Sequence, residues 1–451
     1  MNLKRARAIP GRLASTIPGG PAIPLCLLAF CAMALTGCGT KGTASSSTAS
    51  GSPVIVGAAS NSLPAPPAQT TVNTYSGISV AGGSVASWNW YISQPGKTYT
   101  YQEQGSVADE STTSKSSGIF SSVGEFEYLS DDLGPPFGLQ GLNVEIPSAV
   151  SVFEQSYGGI PSYSLAVGVA LPTGGCLAPN GTITIDYLQI PGVGSISKTV
   201  ATDALYASAG LSYRNGTFSY SKVQQFAIGG AAASTNTIPF VDSYCVQADA
   251  GYGMQSVSVP VADNAFQNQL AYLGTTGVLA GAVTGPNGDG LVGIVQPSAP
   301  IDLASVTKGT YRGYYDQDGS NIYQDPAYFG ATSKWVASPV FKQTGSSLVG
   351  GYVDFYTFEY TYPPAPATGN ILINFGTQAS GHPGLFPSAT ITEPNTSSCP
   401  ASKQSTGPDG NAYCTFPVAA LIGESYGKYV IFISGPELTT GYPLFYALVQ
   451  D

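Results

Sequence analysis

The sequence predicts an all-β protein, with antiparallel sandwich or barrel domains, two in number, behind a signal segment and a flexible tether. Three observations predict it. Short runs rich in Val, Ile, Thr, Tyr and Phe recur along the chain, among them SVASWNWYIS, KTYTYQEQ, GTITIDYL, GTYRGYY, LVGGYVDFYTFEYTY, KYVIFIS and PLFYALVQ. Hairpin dipeptides sit between or beside such runs, at Asn180-Gly181, Asn215-Gly216, Asn287-Gly288, Asp289-Gly290 and Asp318-Gly319, and this spacing reads as antiparallel sheet. Charged residues are only 9% of the chain, so Ser, Thr, Gly, Asn, Gln and Tyr must carry much of the surface, as in secreted β-proteins. Helix should be minor. Its best candidate is Asp263 to Leu273, where Asp263 would cap and Phe266, Leu270 and Leu273 would share a face.

The first element is residues 1–37. Lys4, Arg5, Arg7 and Arg12 precede the apolar stretch Pro24 to Gly37, with no acidic residue among them, which is the order of a secretory signal. Fourteen residues fall short of the roughly 20 that a spanning helix needs. The stretch ends Leu35-Thr36-Gly37-Cys38, which resembles the lipobox of bacterial lipoproteins. That resemblance implies cleavage before Cys38, a diacylglyceryl thioether on its sulfur and acylation, commonly palmitate, of the new amine. Two or more acyl chains anchor stably where one does not. It also implies sorting by the next residue: Gly39, rather than an aspartate, favours the outer membrane in a cell that has two.

Residues 38–74 form the second element, a Ser, Thr, Ala, Gly and Pro tether with almost no charge. Such a segment cannot bury enough apolar area to offset the entropy of ordering. The body follows. A weak internal echo between TGVLAGAVTGPNGDGLVGIVQPS and GKYVIFISGPELTTGYPLFYALVQD divides it into β-domains at 75–298 and 299–451, each closing on a hairpin.

Removing the four leader cations leaves 16 − 4 = 12 basic against 26 acidic residues, a net charge of −14. Scattered cations on so acidic a body cannot neutralise phosphates, so nucleic acid is excluded as a partner. Cys176, Cys245, Cys399 and Cys414 remain after the leader and lipobox cysteines are set aside. The polar loop between Cys399 and Cys414 carries Gly407-Pro408 and Asp409-Gly410 turn signals and joins two β-like runs, which suits a disulfide in an oxidising compartment. Elimination leaves Cys176 with Cys245.

Candidate chemistry is sparse. His382 is the single histidine, in the turn-like Ser380-Gly381-His382-Pro383-Gly384, and reads as a solvated loop residue. Glu125 and Glu127 would share a strand face, with Asp131 and Asp132 following, and such a pair is the remaining route to glycoside hydrolysis. Asp316, Asp318 and Asp325 partly fit a calcium loop, but Tyr314 occupies the first ligand position, so a hairpin at Asp318-Gly319 is favoured and no metal is expected. Neither a phosphate loop nor a dinucleotide fingerprint occurs, and no cofactor is expected. Tyr352, Tyr356 and Tyr360 line one face of a Tyr-rich strand, and Trp88 and Trp90 share another. Aromatics so placed stack on sugars or pack across strands. The expectation is a lipid-anchored envelope module that binds or displays, with a glycan or an envelope protein as partner. A carboxylate-pair glycosidase and a structural spacer or adhesin segment are the alternatives.

Overall fold

The structure is a computed structural model that describes the chain between residues 72 and 451, apart from connecting segments, of which 191–204 and 353–366 are the longest. The leader, Cys38 and the tether up to residue 71 lie outside the described residues, as do Glu125, Asp132, Cys176, Asp318, Tyr356 and Tyr360.

Nearly every described element is a strand, and the strands form antiparallel sheets in three groups. The first eight, from Val72–Ala81 to Tyr163–Val169, pair in chain order, and the last pairs with the first to close a barrel. Gly77 stands opposite Gly168 at that seam. A Cβ on Gly77 would lie 1.9 Å from the Val167 carbonyl oxygen, so the approach requires a residue without a side chain.

The second group is a ten-stranded sheet. Ile183–Ile190 and Gly290–Val295 pair at its centre, and the intervening strands add outward from each of them. Here the helix expected over 263–273 is corrected: Phe266–Leu273 is a strand, with Gln269 paired to Val257 on one side and to Val283 on the other. Ala271 and Leu273 enter the core on one face of the sheet, whereas Tyr272 enters a different core on the opposite face. Two buried faces and two hydrogen-bonding neighbours favour a period of two over a three-residue helical stripe.

The third group begins after a single helical turn, Leu303–Val306, whose cap Asp302 accepts from the Ala304 backbone N–H at 3.0 Å and the Ser305 hydroxyl at 2.7 Å. Eight strands then close a second barrel in chain order: Tyr311–Gln317, Asp325–Phe329, Ser347–Tyr352, Ile371–Asn374, Leu385–Pro394, Ala412–Ser425, Lys428–Pro436 and Pro443–Gln450. Two small additions sit outside this ring. Gln404–Thr406 extends the edge of Ala412–Ser425, and Val336–Ala337 pairs in parallel with Ala367–Thr368.

Side chains fill the second barrel: Ile371, Ile373, Phe416, Ile431, Ile433 and Leu448 belong to one cluster. Residues between them point outward and are buried too. Val430, Phe432, Phe445 and Val449 share a second cluster with Leu188 and Ile190 of the ten-stranded sheet and with Val150 and Val167 of the first barrel. Strands buried on both faces have no reason to alternate polar with apolar, which is why KYVIFIS and PLFYALV are almost continuously hydrophobic. No helix among the described residues is long and apolar enough to cross a membrane.

Candidate functional site

Polar groups converge in two places. The first is a cleft of about 610 Å³ at the end of the second barrel, where Leu385–Pro394 finishes and Ala412–Ser425 begins. Its polar lining comes from three segments: Thr368 and Asn370 before one strand, Asn395 after another, and Asp409, Asn411 and Tyr413 from the turn that leads into a third. Val340, Pro394 and Ala412 supply apolar wall.

Local chemistry holds these segments in place. The Asn395 backbone N–H donates to the Ala412 carbonyl at 2.9 Å, and the Gly407 N–H to the Asn411 carbonyl at 2.8 Å. Gly410 sits at φ +81°, the left-handed conformation that the Asp409-Gly410 turn demands. A disulfide joins Cys399 to Cys414, with Cα atoms 5.8 Å apart, and ties this excursion to the barrel wall. Cys414 is fully buried. The Gln404 amide donates to the Cys399 carbonyl at 2.7 Å, fixing the same loop from its other side.

Asp409 is the hub of the turn. Its carboxylate accepts from the Asn411 backbone N–H at 3.1 Å, the Asn411 side-chain amide at 2.8 Å and the Tyr413 hydroxyl at 2.9 Å. Desolvation pulls its carboxyl upward, but these hydrogen bonds outweigh it and the pKa lies below the ordinary value. The same contact works the other way on Tyr413, whose pKa is pushed up to about 12 by burial and by the carboxylate beside it. Tyr413 also packs edge-on against Phe341, with centroids 4.9 Å apart, so its ring is part of the floor rather than a free face. One acceptor stands out: the Asn395 amide oxygen is buried and, among the described residues, has no hydrogen-bond partner.

The second place joins the ten-stranded sheet to the second barrel. Asp186, on the strand Ile183–Ile190, is 0% exposed. Its carboxylate lies 2.9 Å from the Gly210 backbone N–H, 3.3 Å from the Gln296 amide nitrogen and 3.2 Å from His382 Nδ1. The Gly210 contact depends on a register shift between Ser208 and Leu211 and on φ +92° at Gly210, a bulge that aims one N–H at the carboxylate. Gln296 Nε2 also reaches the Gly381 carbonyl at 3.0 Å and His382 Nδ1 at 2.9 Å. With the Nδ1 hydrogen assigned to the Asp186 carboxylate, which can only accept, the imidazole keeps its lone pair on Nε2.

The reading of His382 as a solvated loop residue is therefore corrected. It does sit in a turn, but its side chain is only 15% exposed because the turn is pressed against the sheet. A histidine oriented by aspartate is one half of a nucleophilic site. Among the described residues no Ser, Thr or Cys side chain is hydrogen-bonded to it.

The other sequence candidates that fall among the described residues are spread over separate strands. Tyr352 is half-buried, stacked on Tyr315 with centroids 4.9 Å apart, and its hydroxyl lies 2.6 Å from that of Tyr446, so it packs against the barrel core. Burial, and then the neighbouring Tyr446, hold its pKa well above the ordinary value. Trp88 and Trp90 occupy alternate positions of the strand Ser84–Ser93, with backbones opposite Gly77 and Tyr75. Glu127 lies on Phe126–Asp131, opposite Asn143. Asp316 and Asp325 belong to neighbouring antiparallel strands in which Tyr315 pairs with Asp325. No group of three potential metal ligands occurs among the described residues. Cys245 lies on Ser243–Gln247, and its expected partner Cys176 is outside the described residues.

No family model matches the chain, and no curated protein matches it either. Among solved structures, the chain is similar to a double mutant of the vaccine antigen transferrin binding protein B from Haemophilus parasuis Hp5, at 8% identity and a TM-score of 0.22, over 85% of this chain and 76% of that one. It is also similar to isotype 1 transferrin binding protein B from serogroup B Neisseria meningitidis, at 11% identity and a TM-score of 0.19, over 81% and 66%. Identity and TM-scores this low establish no common family.

Proposed function

We propose that the chain is an exported lipoprotein, held on the cell envelope through Cys38, whose body is a non-catalytic binding module. Leu35-Thr36-Gly37-Cys38 behind a basic and then apolar segment supports the anchor, and Gly39 favours the outer membrane where there are two. The observation that carries the binding reading is the cleft. It collects amides, two hydroxyls and one carboxylate on a cross-linked frame, and among the described residues its ionisable lining groups, Asp409 and Tyr413, are engaged with each other. Such a set can hold a ligand, but it supplies no free base or nucleophile.

Two measurements test this. The Cys38→Ala chain should leave the membrane fraction after high-salt washing, whereas the parent stays. The intact lipoprotein should turn over chromogenic glycosides and esters no faster than a buffer blank. Membrane retention of Cys38→Ala would sink the anchor, and turnover abolished by His382→Ala or Glu127→Gln would sink the non-catalytic reading.

A further inference from the structure

We infer that the cleft beside the Cys399–Cys414 loop binds an uncharged carbohydrate, a short oligosaccharide with adjacent free hydroxyls. The inference rests on the binding-module reading and names the ligand of that site.

Charge narrows the choice first. Among the described residues the lining holds one carboxylate, Asp409, and no Lys or Arg. Phosphates, sulfated sugars and uronates would meet a fixed negative charge with nothing to balance it. A neutral ligand meets no such obstacle. Donor and acceptor count narrows it further. Asn370, Asn395 and Asn411 each carry an amide and Thr368 a hydroxyl. Thr368 donates to the Asn370 oxygen at 2.8 Å and the Asn411 amide gives one hydrogen to Asp409 at 2.8 Å, which leaves the second hydrogen of Asn411, the Asn370 amide hydrogens and the Thr368 lone pairs for a ligand. A sugar hydroxyl likewise donates and accepts, so neighbouring hydroxyls on a ring match such amides in a way that an acceptor-only ligand cannot.

Asn395 adds its side chain to the same lining. Its amide oxygen is buried and, among the described residues, receives no hydrogen bond, whereas the Asp409 carboxylate close by receives three. Val340, Pro394 and Ala412 offer apolar surface to the C–H face of a sugar ring, and among the described lining residues the one aromatic ring, Tyr413, is packed against Phe341. The volume of about 610 Å³ lies within the range of about 300–1,000 Å³ usual for small-ligand sites. The disulfide and the turn hydrogen bonds set the shape before a ligand arrives, which lowers the entropic cost of binding.

The test uses the intact lipoprotein in detergent, titrated with maltoheptaose, cellohexaose and chitohexaose, with oligogalacturonate as the anionic arm and tryptic peptides of envelope proteins as the peptide arm. At least one neutral oligosaccharide should bind, and the anionic arm should not. Asn395→Leu removes the unpaired oxygen, so it should weaken binding at least tenfold without lowering the melting temperature. Asn370→Ala should weaken it in the same direction. The inference is overturned if no neutral oligosaccharide binds, if binding survives both substitutions, or if the anionic or peptide arm binds in its place. None of these outcomes touches the anchor or the absence of turnover. Conversely, hydrolysis of a bound neutral oligosaccharide would overturn the non-catalytic reading and leave the ligand class standing.

Discussion

Three donors converge on Asp186, and the one supplied by His382 can be removed without touching the backbone. A buried carboxylate that loses a hydrogen bond keeps its desolvation cost, so His382→Ala should destabilise the fold by about 1–3 kcal/mol. Asp186→Asn should lessen that cost in the double variant, because an amide needs the lost donor less than a carboxylate does. Chemical denaturation of the four proteins checks this. A loss under about 0.5 kcal/mol for His382→Ala, the size typical of an unremarkable surface site, would show that the contact contributes nothing. This pair was invisible in the sequence for a plain reason. Its members stand 196 residues apart, and Gly381, Pro383 and Gly384 around His382 signal a turn without saying what the turn rests on. The calcium and carboxylate candidates pose the converse problem: their spacing is legible, but Asp318, Glu125 and Asp132 lie outside the described residues.

At the scale of elements the sequence was easier to read. Where they fall among the described residues, the short aromatic and β-branched runs are strands, and the turn signals within the loop closed by Cys399 and Cys414 mark a real turn, with Gly410 at positive φ. Phe266–Leu273 was misread because three apolar residues at helical spacing also fit a strand that is buried on both faces. The cleft needed three segments at once and had no linear signature. Its disulfide makes an element-scale prediction. A loop with a sequence separation of 15 implies stabilisation of about 3 kcal/mol by restriction of the unfolded chain. Cys399→Ser with Cys414→Ser should therefore lower stability by that order and weaken ligand binding at the cleft more than it disturbs strand content. Circular dichroism alongside binding would separate the two effects. Unchanged stability would show that the loop is held by its hydrogen bonds alone.

For the whole molecule, barrel closure was the part least legible, because a strand that pairs with its neighbour looks the same whether or not the last strand returns to the first. The shared cluster that joins both barrels to the ten-stranded sheet was hidden for a similar reason: continuous apolar runs say that both faces are covered, not by what. One property spreads across all of it. Burial raises the pKa of Tyr187 in the sheet and of Tyr311, Tyr352 and Tyr413 in or beside the second barrel. A raised tyrosine binds its proton more tightly folded than unfolded. Its contribution is complete below the unfolded value of 10.0 and is lost as pH climbs through the folded value, about 12 for Tyr413. The melting temperature should accordingly fall steeply above pH 10, in step with the appearance of tyrosinate absorbance. A melting temperature that stays flat while tyrosinate forms would show that the phenols ionise without cost.

The seam of the second barrel also sets an order of events in time. Tyr311–Gln317 hydrogen-bonds to Pro443–Gln450, and residues 318–442 lie between them. While the chain is being made, the earlier strand must wait with one edge open until everything in between has emerged. Closing so long a loop gives up chain entropy before any contact repays it. The barrel is thus a structure that completes last and all at once, and until then its exposed edge is where a chaperone, or a wrong partner, would take hold.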